Sequence, residues 1–205
     1  MTQRTVVVVT AGLREPSSTR LLADRLSAAT ERFLRQSSIE PRIRVVELRE
    51  HAQDLASNLL MGFPSPSLRE AAEEVVRGDG LIAVTPIFNA SYSGLFKTFF
   101  DVLDRDSLAG RPVLIAATGG TARHSLALEH ALRPLFAYLG AATVPTAVYA
   151  ASEDWASAGD ETDPGLVERI ERAAGELASA VAAGGPPAAD PYANPTPFEE
   201  LLAAD

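Results

Sequence analysis

Apolar and polar positions along this chain alternate between two patterns. Short, nearly uncharged runs recur: V-V-V-V at Val6–Val9, G-L-I-A-V at Gly80–Val84, P-V-L-I-A-A at Pro112–Ala117, and a stretch from Thr143 to Tyr149. Their continuity marks strands buried on both faces, as in a parallel sheet. R-I-R-V-V-E at Arg42–Glu47 is more polar and reads as a strand near a sheet edge. Between the runs the spacing turns helical. Leu22, Leu26, Ala29 and Phe33 share one face of a helix over residues 18–36. Further helices are expected at 67–77, about 94–104, 125–139 and 164–183, with a weaker one at 51–60. Strands alternating with helices imply right-handed crossovers and an α/β fold. The expectation is a doubly wound, flavodoxin-like sheet of five parallel strands in order 2-1-3-4-5 with helices on both faces. Residues 1–183 form its single domain, and 184–205 a proline-rich tail ending in Phe198, Leu201 and Leu202. That tail is either a frayed terminus or an arm for another subunit or a partner.

In such sheets ligands bind beyond the carboxyl ends of the strands, where the winding reverses. Three segments rich in Gly, Ser, Asn and aromatics follow the first, third and fourth strands, so they converge on that edge. The first, T-A-G-L-R-E-P-S-S-T-R from Thr10 to Arg20, joins a strand to a helix start. Ser17 or Ser18 can cap the helix, whose free N–H groups favour an anion. Gly12, Leu13, Arg14, Ser17, Ser18 and Thr19 thus compose either a phosphate cradle or an ordinary capped loop with a solvated arginine.

The second segment offers Pro86, Ile87, Phe88 and Asn89. Asn89 suits the polar edge of a heteroaromatic ring; Phe88 either stacks or packs, and Tyr92 is a cleft wall or a subunit contact. The third holds Thr118, Gly119, Gly120 and Thr121. Its paired glycines permit either close backbone approach to a flat ligand or a tight turn. Arg123 is a candidate for a nucleotide phosphate and His124 for a ring-edge donor or a helix cap.

Composition narrows the chemistry. With no cysteine, thiolate nucleophiles, disulfides and Cys-based metal sites are excluded. A net charge of −9 opposes nucleic-acid binding. No apolar run reaches the ~20 residues of a membrane span, and no export signal precedes the first strand, so a cytoplasmic protein is expected. No metal constellation, Walker A or nucleophile elbow is present. A site of phosphate donors and a planar surface, without evident acid, base or nucleophile, points to a bound cofactor that carries the reaction. Lys97 is the only lysine. Its i+4 partner Asp101 suggests either a surface pair or one partly buried against the sheet or a neighbouring subunit.

These motifs resemble those of the flavodoxin-like NADPH-dependent FMN reductases, over roughly residues 4–185. The family's G-S-x-R-x-x-S-x-[ST/N] loop is matched by A-G-L-R-E-P-S-S-T, with Gly12 at the usual serine. Its second motif is matched by Pro86, Phe88, Ser91, Ser93, Gly94, Lys97 and Asp101. Its third is G-G-T-A-R-H at Gly119–His124, with Arg123 where alanine is usual. The resemblance implies FMN phosphate on Arg14, Ser17 and Thr19, isoalloxazine along Pro86–Asn89, and Gly119 and Gly120 at the pyrimidine edge. It also implies NADPH or NADH as hydride donor, a homodimer or homotetramer, and a flavin-dependent monooxygenase as recipient of reduced FMN. A quinone, azo or metal reductase with tightly held FMN, or a flavodoxin-type electron carrier, are the alternatives on the same fold.

Overall fold

The structure is a computed structural model that describes residues 2–155 and 163–184. β1 (Thr2–Thr10) pairs in parallel with β2 (Ile39–Glu47) on one side and β3 (Gly80–Phe88) on the other. β5 (Pro112–Gly119) lies parallel to β3. Two short strands, β6 (Ala142–Thr143) and β7 (Val148–Ala151), pair with opposite ends of β5. β4 (Ser91–Tyr92) folds back antiparallel on β3. The fold is flavodoxin-like α/β, and β2 is the expected edge strand.

The sheet differs from expectation in having seven strands, in the order β2-β1-β3-β5-β6 with β4 and β7 attached to β3 and β5. Two local causes account for this. The stretch expected as one fifth strand is interrupted at Val144–Ala147, where Pro145 has no N–H for a ladder. Arg133 donates to Thr143 Oγ1, Val144 O and Pro145 O at 2.9, 3.2 and 3.1 Å. From the other side, Glu176 accepts from Thr146 N and Oγ1, both at 2.7 Å. β4 arises because Asn89 and Ala90 take φ of +49° and +69°, a two-residue hairpin turn with both central residues left-handed.

Side-chain alternation along β1 divides the core in two. Val6 and Val8 face α1 (Ser18–Gln36) and α6 (Pro164–Ala183); their apolar faces, Leu22, Leu26, Ile170, Leu177 and Val181, close one side of the sheet. Val7 and Val9 face α2 (Ala52–Met61), α3 (Pro66–Arg77), α4 (Gly94–Asp101) and α5 (Arg133–Tyr138). On this side Phe96, Phe100 and Phe136 pack together, with Phe100 and Phe136 edge to face at 4.9 Å. The helix expected at 125–139 begins instead with a turn and a π-helical stretch, Leu128–Leu132, before α5. No helix among the described residues is long and apolar enough to cross a membrane. The residues after Gly184, including the expected docking side chains of the tail, lie outside those described.

Lys97 and Asp101 pair at 2.5 Å with side chains 39% and 43% exposed, so within this chain the pair sits on the surface. Arg in place of Lys97 is therefore expected to leave the melting temperature unchanged, since such helical pairs contribute only about 0.3–0.5 kcal/mol. Phe136→Ala, by contrast, opens a cavity at the centre of the ring cluster. It is expected to cost about 3–5 kcal/mol in urea denaturation.

Candidate active site

The loop after β1 is fixed at both ends. Ala11 N donates to Val84 O at 3.0 Å, continuing the ladder one residue past the strand. Ser17, in extended conformation, caps α1 by accepting from Arg20 N at 3.2 Å. Buried Gly12 passes so close to Ser17 that a Cβ there would strike its hydroxyl. The N–H groups of Ser18 and Thr19, in the first turn of α1, have no intrahelical acceptor and carry the positive end of the helix dipole. Arg14 stands beside them, exposed, with neither a hydrogen bond nor an ion pair among the described residues.

The end of β3 is held from below. Thr85 Oγ1 accepts from Ser93 N and donates to Pro86 O, both at 3.0 Å, and Ser93 in turn caps α4 through Phe96 N at 3.2 Å. This buttress presents Pro86 and Ile87 to the cleft and leaves Phe88 47% exposed at its rim.

The third loop depends on Tyr149 of β7. Its hydroxyl donates to Thr121 O at 2.9 Å, and its ring lies over Gly119, where an added Cβ would stand 3.0 Å from Tyr149 Cζ and closer still to the hydroxyl oxygen. Gly119 is therefore required by a packed ring. Gly120 is different: a Cβ there would meet no protein atom, and its φ is not left-handed. Neither glycine of the pair takes a left-handed φ, and of the two only Gly120 has open space beside its backbone.

The three loops meet. Leu13, Arg14, Ser17, Ser18, Thr19, Pro86, Ile87, Phe88, Thr118, Gly119 and Gly120 line one cleft of about 390 Å³, joined by Pro16 and Ser152. At its floor Thr19 and Thr118 share a buried hydrogen bond of 2.8 Å between their hydroxyls. Gly12 lies behind the loop in a neighbouring cavity. Asn89, Thr121, Arg123 and His124 are not among the lining residues. Asn89 is a hairpin residue, Thr121 serves Tyr149 and caps the short helix Ala122–His124, and Arg123 and His124 sit exposed on that helix.

Sequence reasoning did not single out Pro16, Ser152 or Tyr149. Pro16 lay inside the quoted loop, and the tyrosine at a strand end facing a Gly-Gly pair was the one signal for the third. Among the described lining residues Arg14 is the only ionisable side chain, accompanied by five hydroxyls and an apolar wall. The arrangement can hold an anion and a flat ring; it offers no acid, base or nucleophile. No group of His, Asp or Glu among the described residues could hold a metal ion.

Residues 4–156 match the family model described as NADPH-dependent FMN reductase. A protein of Pseudomonas aeruginosa named FMN reductase (NADPH) is 38% identical over 169 residues, 82% of this chain and 88% of that one. NADH-dependent FMN reductase SfnF of Pseudomonas putida is 40% identical over 171 residues, 82% of this chain and 87% of that one. Among solved structures, an oxidoreductase from Corynebacterium diphtheriae superimposes with a TM-score of 0.85 at 44% identity, covering 90% of this chain and all of that one.

Burial pushes the Tyr149 phenol above the ordinary tyrosine value, and the Asp154 carboxylate adds to the shift. The folded state thus holds this proton more tightly than the unfolded chain. The resulting stability is fully present below pH about 10 and is lost as pH rises through the folded value. In denaturant titrations the wild type is expected to lose stability in this alkaline range faster than Tyr149→Phe. At neutral pH the variant is weaker by about 1 kcal/mol, for want of the Thr121 bond.

Proposed function

The chain belongs to the NADPH-dependent FMN reductase family, and on that footing we propose that the cleft of the three loops is where FMN meets the nicotinamide coenzyme. The activity is that of an NAD(P)H:FMN oxidoreductase, with FMN and NADPH or NADH as its cofactors. Bound FMN supplies the acceptor for the hydride that the nicotinamide donates.

The chain's own contribution is binding and alignment. Arg14 is the observation that carries the reading. It is a guanidinium without a partner among the described residues, beside the open N-terminus of α1 and a row of hydroxyls, as a phosphate monoester requires. Ser17 is committed to capping, which leaves the N–H groups of Ser18 and Thr19 to face the anion. In the buried Thr19–Thr118 pair one hydroxyl donates to the other, so one proton remains for a ligand oxygen. Pro86, Ile87 and Phe88 form the apolar wall for a planar ring. The space beside Gly120, which no atom of the described residues fills, would let the ring's edge approach the backbone. Asn89, Arg123 and His124 lie beyond the cleft lining and enter only as contacts of a coenzyme that reaches past it.

Release of reduced FMN to a flavin-dependent monooxygenase belongs to the same proposal. Leu13, Arg14, Ser18, Phe88 and Gly120 are all exposed, so the flavin site opens to solvent and suits a ligand that leaves. Assembly as a homodimer or homotetramer, implied by the family resemblance, is tested by sedimentation.

Anaerobic mixing of the protein with NADPH and free FMN, followed by nicotinamide absorbance, separates the readings. Rapid turnover with free FMN is expected. Turnover that waits for an added quinone speaks for a reductase with tightly held flavin, and no oxidation of NADPH or NADH for an electron carrier. Arg14→Ala is expected to weaken FMN binding, read by quenching of flavin fluorescence, by at least about tenfold, or about 1.5–3 kcal/mol for a charge-assisted contact.

A further inference from the structure

A second cavity, of about 300 Å³, adjoins the cleft on the β2 side of the first loop and shares Arg14, Pro16 and Ser17 with it as a common wall. Three features mark it as more than a surface dimple. Thr10, the last residue of β1, lines it. Thr10 is 2% exposed, lies on the α1 face by its parity with Val6 and Val8, and its hydroxyl has no partner among the described residues. Arg20 and Arg49 enter from α1 and from the turn after β2, and Glu47 bridges them, with Arg49 Nε at 3.1 Å. Glu15 pairs with Arg49 from the solvent side of the loop, its side chain 72% exposed.

We propose that this cavity receives the 2′-phosphate of the nicotinamide coenzyme, so that Arg49 and Arg20 set the preference for NADPH over NADH. The inference rests on the reading of the cleft as the meeting place of FMN and coenzyme. A nicotinamide ring at the mouth of that cleft has to carry its adenosine half out over one side. Towards the first loop Arg20 and Arg49 converge with Arg14 on one cavity. Guanidinium forks match the oxygens of a phosphate monoester, and Thr10 has a hydroxyl that no described residue uses. Glu47 is held by two arginines and stays. Glu15 is the replaceable carboxylate: it covers Arg49 until a phosphate takes its place. When it swings out, the fork of Arg49 keeps only its Nε contact to Glu47 among the ion pairs of this cavity and turns its remaining N–H groups to a phosphate oxygen.

The same phosphate chemistry is presented by inorganic phosphate, so the test separates the two sources. The full-length protein is titrated calorimetrically with 2′,5′-ADP, with 5′-AMP and with inorganic phosphate. 2′,5′-ADP is expected to bind at least about tenfold more tightly than either, the margin of one charge-assisted contact. Arg49→Gln is expected to erase that margin and Glu15→Gln to widen it; the ratio of kcat/KM for NADPH to that for NADH should move in the same two directions. Because the two variants act in opposite senses, general damage to the fold cannot imitate the result. Equal binding of 2′,5′-ADP and 5′-AMP, inorganic phosphate binding as tightly as 2′,5′-ADP, or a margin untouched by both variants overturns the inference. FMN binding by fluorescence is scored separately. Its absence from the wild type overturns the reading of the cleft itself, whereas intact FMN binding without nucleotide discrimination overturns only the second cavity.

Discussion

Thr19 and Thr118 lie 99 residues apart and share one hydrogen bond, 2.8 Å long, with both side chains buried. A buried hydroxyl without a partner costs on the order of 1–3 kcal/mol, so each threonine needs the other. The bond fixes the start of α1 against the end of β5, across the end of β3. That constraint turns three loop ends into one cleft. It holds the helix N-terminus over the floor, sets Arg14 at one end and Gly120 at the other, and leaves β3 between them with Pro86 and Ile87 facing inward. It also explains why the floor is polar although the sheet beneath it is not: Val84 and Ala116, each two residues before a lining residue, are fully buried.

Around this floor each supporting contact serves a backbone position. Tyr149 holds the loop at Gly119 by its ring and at Thr121 by its hydroxyl. Thr85 and Ser93 hold the end of β3 through two hydrogen bonds of 3.0 Å and a helix cap. Ser17 holds the first loop through the α1 cap, with Gly12 closed behind it. The lining is therefore set by secondary-structure ends, each tied down by hydrogen bonds. A site that catalyses by aligning two ring systems depends on such placement, because small misalignments of the reacting atoms are costly in rate.

The repeating architecture was legible because its signal is long. Val6–Val9, Gly80–Val84 and Pro112–Ala117 are unbroken apolar runs, and Leu22, Leu26 and Ala29 keep helical period over a whole helix. Most of the cleft lining was legible too, since loops at strand ends of a doubly wound sheet have one edge on which to meet. What escaped was set by tertiary partners. The break in the fifth strand position is held by Arg133 and Glu176, which come from two different helices. The turn at Asn89–Ala90 places a non-glycine pair in left-handed conformation, a conformational task for Asn89 that the sequence reading did not anticipate. Tyr149 acts on a loop 28 residues away, and Ser152 reaches the cleft only because β7 lies beside β5. Local pattern carries none of these.

The charge of the whole molecule sharpens the role of the first loop. A net charge of −9 repels nucleotides at long range, yet such repulsion is screened over about 8 Å at physiological salt. Binding of an anion must therefore be decided by groups in contact with it. Elsewhere many arginines are already neutralised: Arg4 by Asp79, Arg44 by Glu74, Arg133 by Glu129 and Arg172 by Glu168. Among the described residues Arg14 has no carboxylate partner, while Arg49, one cavity away, is covered by the exposed carboxylate of Glu15. In the two proposed anion sites, an uncovered cation accepts a phosphate directly, whereas a covered one accepts only a phosphate placed well enough to displace the cover; on that reading two neighbouring sites on one loop would differ in selectivity with the same kind of side chain.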